Sequence, residues 1–219
     1  MSALDNIRDP ALRAEFESHV TSIYRQAYAA QGRKAFEYPR HSAAIHEAGH
    51  AIVYAVTADR VRWWPPYRLR IWREAINGLS LWLGQTDVSP KAPPLQIAAT
   101  ELEATLIYAL RLVAGVTAEM TFDGRDFRQS SSVDELVIVG ALARNLEEHH
   151  WHQPAEYCMA LVIATATKLL RAHANTLTAL ATTLERQRKL QGQDLTRWLQ
   201  SVQRRRLPTA FDSLSRWQP

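Results

Sequence analysis

The sequence predicts a mainly α-helical domain carrying one small β-hairpin or sheet element. Three observations carry this. Apolar residues recur at helical spacing along most of the chain. Only 8 Gly and 10 Pro occur in 219 residues, too few for a turn-rich all-β fold. A single pair of alternating runs flanks one Asn-Gly dipeptide. At 47% hydrophobic and 22% charged residues the balance is that of an ordinary globular protein, and the length suits one large domain.

Asp9-Pro10 places a capping residue and a proline where a helix begins. Leu12, Phe16, Val20, Ile23, Tyr24 and Ala27 follow at helical spacing, and Gly32 closes the segment. Residues 1–40 therefore read as an N-terminal helix and linker. A second helix is expected over 41–56, with Ile45, Ala48, Gly49, Ile52, Val53 and Val56 as its apolar stripe. Pro65-Pro66 breaks the chain. Tyr67, Leu69 and Ile71, then Leu79, Leu81 and Leu83, alternate around Asn77-Gly78, which reads as a hairpin. Trp72 and Trp82 can pair across its strands. Pro93-Pro94 opens a long helix to about residue 122, with Leu95, Ala98, Leu102, Leu106, Leu110, Val113 and Met120 inward. A polar loop over 123–132 leads to a helix over 133–148. From Pro154 a helical stretch reaches about 190, with a break near 172–175. Gly192 ends it, a short helix over 193–203 follows, and 204–219 form a basic tail.

The formal net charge of +4 is mild, and Arg204, Arg205 and Arg206 read as a solvated tail, so nucleic acid is not an expected partner. One cysteine, Cys158, excludes a disulfide framework and a Cys-based zinc cage, which points to a reducing, cytoplasmic location. Its apolar neighbours make it a buried structural thiol. Met1–Asn6 lacks the features of a signal peptide, and no run approaches 18 consecutive apolar residues, so no membrane span is expected.

The chemistry concentrates in residues 46–50, His-Glu-Ala-Gly-His. On a helix, positions i and i+4 lie about 40° apart around the axis, so His46 and His50 can converge on one ion. Imidazole donors suit Zn2+, whose catalytic sites take three protein ligands and keep one position open. Glu47, beside a ligand without being one, is placed to act as general base toward the attacking water. The third ligand must come from further along the chain. Gly and His are missing at positions 53 and 56, both Val, so the extended metzincin pattern is excluded. Glu101, Glu103, Glu119, Asp123, Asp126, Asp134 and Glu135 are the candidate carboxylates. Asp134 is preferred: Ser131 and Asp134 have the spacing of a capping box, but Ser132 and Glu135 have it too, and if that second pair caps the helix Asp134 is free to face a metal. Glu119 is the alternative ligand, or an acceptor for the N–H of a ligating imidazole. Glu147-Glu148-His149-His150-Trp151-His152 lacks the i, i+4 histidine geometry and reads as a solvated helix end.

Around these residues the chain resembles the peptidase domain of the FtsH family of ATP-dependent zinc metalloproteases. The resemblance rests on Ile45-His-Glu-Ala-Gly-His-Ala-Ile-Val53, on Val113-Ala-Gly-Val-Thr-Ala-Glu119, and on Ser130-Ser-Ser-Val-Asp134-Glu-Leu136 with Ala143-Arg144. It continues through Leu169–His173 to Leu190-Gln-Gly192, and spans roughly residues 41–202. It implies that Asp134 is the third zinc ligand and that residues 41–203 form the peptidase domain. It also implies that the strand over Gly78, Leu79, Ser80 and Leu81 binds substrate backbone along an open edge. The chain departs from the family at Val116, Ser130 and Val133. It has no phosphate-binding loop, so the expectation is a domain without the family's ATPase and membrane segments.

Two functions follow. The first is a zinc-dependent endopeptidase, a hydrolase that acts on unfolded or flexible polypeptides independently of ATP. A separate ATPase or a homo-oligomer are the partners this leaves open. The second is a zinc-stabilised interaction module with little or no turnover. Glu47 favours the first, since a purely structural site has no use for that carboxylate.

Overall fold

The computed structural model describes residues 10–32, 38–58, 66–76, 79–88, 102–125, 133–149 and 154–202. These form seven helices and one three-stranded antiparallel sheet: α1 (Pro10–Gln31), α2 (Arg40–Val56), β1 (Pro66–Ile76), β2 (Leu79–Val88), α3 (Leu102–Ala118), α4 (Val133–His149), α5 (Ala155–Ala172), α6 (Ala174–Gln187), β3 (Lys189–Gln191) and α7 (Gly192–Ser201). The mainly α architecture with a small sheet is the one the periodicity predicts.

Helix α2 is the central element. It is buried almost all round, from Ser42 to Val53, and packs on α3, α5 and α6 as well as on both strands of the hairpin. Small residues allow this. A methyl group at Gly49 would lie 2.6 Å from the Ala118 Cβ and 2.7 Å from the Ala114 carbonyl oxygen, so α2 and α3 approach closely only because position 49 has no side chain. Phe16 of α1 belongs to the same buried cluster, and α1 packs against α4.

The hairpin pairs Ile76 with Leu79, which leaves two positions between the strands. Those positions, Asn77 and Gly78, lie outside the described residues. The register overturns one expectation. Trp72 faces Leu83 and Trp82 faces Arg73, so the two indoles are on opposite faces and do not pair. Gly84 and Thr86 stand opposite the buried Ile71 and Leu69, so the leucines at 79, 81 and 83 belong to the other face of β2. The reason is register: a one-residue difference in pairing turns every side chain of a strand to the other face.

The segment 189–191, expected to end a helix, is strand β3, paired with β1 through Leu69 and Leu190. Sheet order is β2-β1-β3, so β2 is an outer strand. Of the long helix expected from Pro93, residues 89–101 lie outside the described residues. Its described part, α3, ends in a π-helical turn over Glu119–Asp123 closed by Gly124 at φ 66°. The extra residue of a π turn shifts the phase of the helix, and Met120, expected inward, is 43% exposed. Together α3 and this turn, Leu102–Asp123, are long and apolar enough to cross a membrane by composition, but 83% of the apolar window is buried inside the protein, as a core helix would be. The break expected near 172–175 falls at His173, between α5 and α6. Residues 203–219, including the basic tail, lie outside the described residues, as do His150, Trp151 and His152.

Candidate metal centre

His46 and His50 project from the buried middle of α2, one turn apart, with ring centroids 4.7 Å apart and their planes inclined by 71°. Both rings are held from behind. His46 Nδ1–H donates to Glu119 Oε1 at 2.5 Å, and His50 Nδ1–H donates to the Arg111 carbonyl oxygen at 2.8 Å. A carbonyl oxygen only accepts, so the proton of His50 sits on Nδ1. The carboxylate of Glu119 assigns His46 the same tautomer. Each Nε2 therefore presents a lone pair, and the two lie 2.9 Å apart.

The carboxylate that joins them is Glu135, from the first turn of α4. Its oxygens lie 3.3 Å from His50 Nε2 and 3.5 Å from His46 Nε2. Among the described residues, Glu135 Oε2 is buried and has no hydrogen-bond partner. One ligand atom from each of the three residues falls within 4.8 Å of the others. Two lone pairs and a carboxylate converging in a buried space repel one another unless a cation lies among them. In a tetrahedral site with ligand bonds of about 2.0–2.1 Å, donor atoms stand roughly 3.3 Å apart, close to the separations found. The residues present thus fit a metal ion.

Asp134, the sequence's choice for third ligand, is not in this group. It lies on the α1 side of α4, where its charge adds to burial in pushing the Tyr24 phenol above its ordinary pKa. The helix phase explains the exchange. The buried face of α4 carries Ile138, Val139, Leu142, Ala143 and Leu146. At 100° per residue Glu135 falls in the middle of that stripe and Asp134 roughly 110° away from its centre. The sequence held this signal; the capping-box assignment gave Glu135 a different task.

The electrostatics show how strongly the group favours positive charge. Burial raises the cost of ionising Glu135, yet the neighbouring histidines outweigh it and hold its pKa down at about 2. Burial likewise opposes charge on His46, but the hydrogen bond to Glu119 and the neighbouring Glu135 carboxylate overcome it and the pKa is raised well above the usual imidazole range. His50 is raised too, against its burial, by the charge of Glu135. A field that stabilises a proton on these nitrogens stabilises a metal cation among them.

Glu47 lies outside the ligand group. Its carboxylate packs on β2, where the Thr86 hydroxyl donates to Glu47 Oε2 at 2.6 Å. Burial is the main reason its pKa is raised above the ordinary carboxylate range. A methyl group at Gly84 would collide with this carboxylate, and one at Gly115 would collide with the His46 ring. The two glycines are cradles that sequence reasoning did not pick out. The part of β2 beside the site is thus Gly84–Thr86. The expected substrate-binding residues Leu79, Ser80 and Leu81 lie further along the same strand, and Gly78 falls outside the described residues.

The supporting layer is continuous. Ser42 donates to Asp123, Arg125 Nε stands 3.8 Å from Glu119 Oε2, and the Arg125 guanidinium stacks 5.2 Å from the Tyr38 ring. Behind His50, Arg111 is 1% exposed. It donates to the Thr57 hydroxyl at 2.9 Å and carbonyl at 3.2 Å, and lies 4.4 Å from the Tyr54 ring centroid. Burial lowers its pKa to about 10, which leaves it charged at neutral pH. It ties the end of α2 to the turn of α3 whose carbonyl orients His50.

No known family model matches the chain, and no curated protein matches it either.

Proposed function

We propose that the protein is a zinc-dependent peptidase that hydrolyses unfolded or flexible polypeptides, with Glu47 as general base. One observation carries the reading. Two histidines and a carboxylate from a second helix converge as a group that could hold a metal ion, while the glutamate between the histidines is left out and lies against an outer strand. Two imidazoles and one carboxylate form a donor set zinc accepts while keeping a position open. Residues 41–202 resemble the peptidase domain of the FtsH family, which supports the same reading, with Glu135 supplying the carboxylate in place of Asp134.

His46, His50 and Glu135 would hold the ion; Glu119 and the Arg111 carbonyl keep both imidazoles in the ligating tautomer. When bound, the metal supplies Lewis acidity toward the substrate carbonyl and water. Glu47 accepts a proton from the attacking water as its oxygen bonds to the carbonyl carbon. The C–N bond then breaks, and Glu47 returns the proton to the leaving amine. The Thr86 hydroxyl orients the carboxylate. The open edge of β2 offers main-chain groups to an extended substrate, which gives breadth of sequence.

The test is digestion of casein by the purified, zinc-loaded chain, with and without chelator, beside Glu47→Gln. Cleavage that stops with chelator and in the variant, while the variant keeps about one zinc per chain, is the expected result. Wild-type cleavage that survives both treatments overturns the assignment. A protein that shows no cleavage and is only stabilised by zinc is an interaction module instead.

A further inference from the structure

The open edge of β2 is closed at one end. The Trp82 N–H is turned away from β1 and donates to the Tyr38 carbonyl at 3.1 Å. Main-chain groups alternate in direction along a strand, so Gly84 and Thr86 present theirs on this same open side. A polypeptide paired with β2 can use Gly84 and Thr86 but must stop before Trp82.

Two cations stand at that stop. The Arg40 guanidinium lies 5.1 Å from the Trp82 ring centroid and the Arg188 guanidinium 5.6 Å from it. Neither is paired with a carboxylate among the described residues. By contrast Arg68 pairs with Asp87 at 2.6 Å and His41 with Glu185 at 2.9 Å. Arg40 Nη2 donates to the Arg186 carbonyl, while its Nε is buried with no hydrogen-bond partner among the described residues. Arg40 also opens α2, whose N-terminus has no side-chain cap, so the helix dipole adds positive potential to the corner. Among the described residues, two guanidiniums without a carboxylate partner and a helix start without a side-chain cap surround one indole, an arrangement that suits an anion.

The direction of the strands identifies which anion. Arg40 of α2 sits by Trp82, and Glu47, further along α2, sits by Gly84 and Thr86, so α2 and β2 run side by side in the same sense. A substrate strand antiparallel to β2 points its carboxyl end at Trp82. We propose that Arg40 and Arg188 bind the terminal α-carboxylate of a polypeptide lying antiparallel along the edge of β2, so that the site trims short peptides from carboxyl ends. The trimming rests on the peptidase reading above; the carboxylate site does not. Arg40 and Glu47 are seven helical residues apart, about 10 Å, and an extended chain covers that in about three residues. The released peptide is therefore about three residues long.

The experiment uses one unstructured, N-terminally fluorescent decapeptide in three forms: a free carboxyl terminus, a terminal amide, and a terminal amide preceded by Asp. Binding to zinc-loaded Glu47→Gln protein is read by anisotropy, and wild-type products by mass. The free acid is expected to bind at least about tenfold more tightly than either amide. The preference should weaken in Arg188→Gln, whose parent side chain is exposed and whose replacement leaves the core untouched, and vanish in Arg40→Gln/Arg188→Gln. Equal binding of acid and amide overturns the proposal. So does an Asp-amide that binds like the acid, or a preference that survives the double substitution, which would place the carboxylate on the metal. Cleavage at internal bonds regardless of the distance to the end overturns the trimming. If no peptide is cut but the arginine-dependent preference for the free acid stands, the peptidase reading fails and the carboxylate site holds.

Discussion

Adjacent carboxylates at the start of α4 have different roles because a helix turns 100° between them. Glu135 faces His46 and His50, and Asp134 faces α1. Substituting each separates the roles. Glu135→Gln keeps the shape but removes the negative donor, so if the proposed site holds zinc, the variant should lose the metal when dialysed against a weak chelator. Asp134→Asn should keep it. Glu119→Gln leaves the ligands in place and weakens only the acceptor behind His46, a loss of roughly 10–100-fold in metal affinity. Metal analysis and competitive titration of the three variants check this. Zinc kept by Glu135→Gln and lost by Asp134→Asn would reverse the assignment.

Elements meet at this site through positions without side chains. Gly115 lets the His46 ring lie on α3, and Gly84 lets the Glu47 carboxylate lie on β2. The two should respond differently to alanine. Gly115→Ala pushes on the His46 ring, so on the proposed reading zinc affinity should fall along with activity. Gly84→Ala pushes on the Glu47 carboxylate, so on the proposed peptidase reading kcat should fall by at least about tenfold while zinc content is unchanged. Parallel metal analysis and steady-state kinetics distinguish them, and an equal loss of zinc in both would mean that β2 supports the ligands as well. The π turn after α3 belongs to the same geometry. It begins at Glu119, the acceptor for His46, and its extra residue turns Met120 outward.

One buried cluster joins α1 to α7 and strands β1 and β3, with Leu81 and Trp82 of β2 packed against it, so a probe deep within it should report global unfolding. Cys158 is 1% exposed, and burial pushes its thiol up to about 12. In the unfolded chain the thiol ionises near 9. The folded state thus holds the proton more tightly, and the stability from this group is complete below about pH 9 and is lost as pH rises toward 12. At pH 8 Cys158 should resist a disulfide reagent in the native protein and react at once in denaturant. The midpoint of reactivity against denaturant should coincide with that of helix loss by circular dichroism. Reaction well before that midpoint would show that α5 opens on its own.

Local spacing was enough to read the helices, the hairpin and the His-Glu-Ala-Gly-His geometry, because those depend on contacts within a turn or across a two-residue loop. The phase of the α4 stripe even pointed to Glu135, although the capping pattern beside it pointed elsewhere. Strand β3 was not legible: three residues have no measurable period, and they become a strand only because β1 offers an edge where Leu190 can sit beside Leu69. The face of β2 that meets Glu47 depended on pairing register, which the alternation of Leu79, Leu81 and Leu83 misreports. The roles of Gly84 and Gly115 depend on how closely α2 approaches β2 and α3. Such distances belong to the packing of elements far apart in the chain, and no local pattern encodes them.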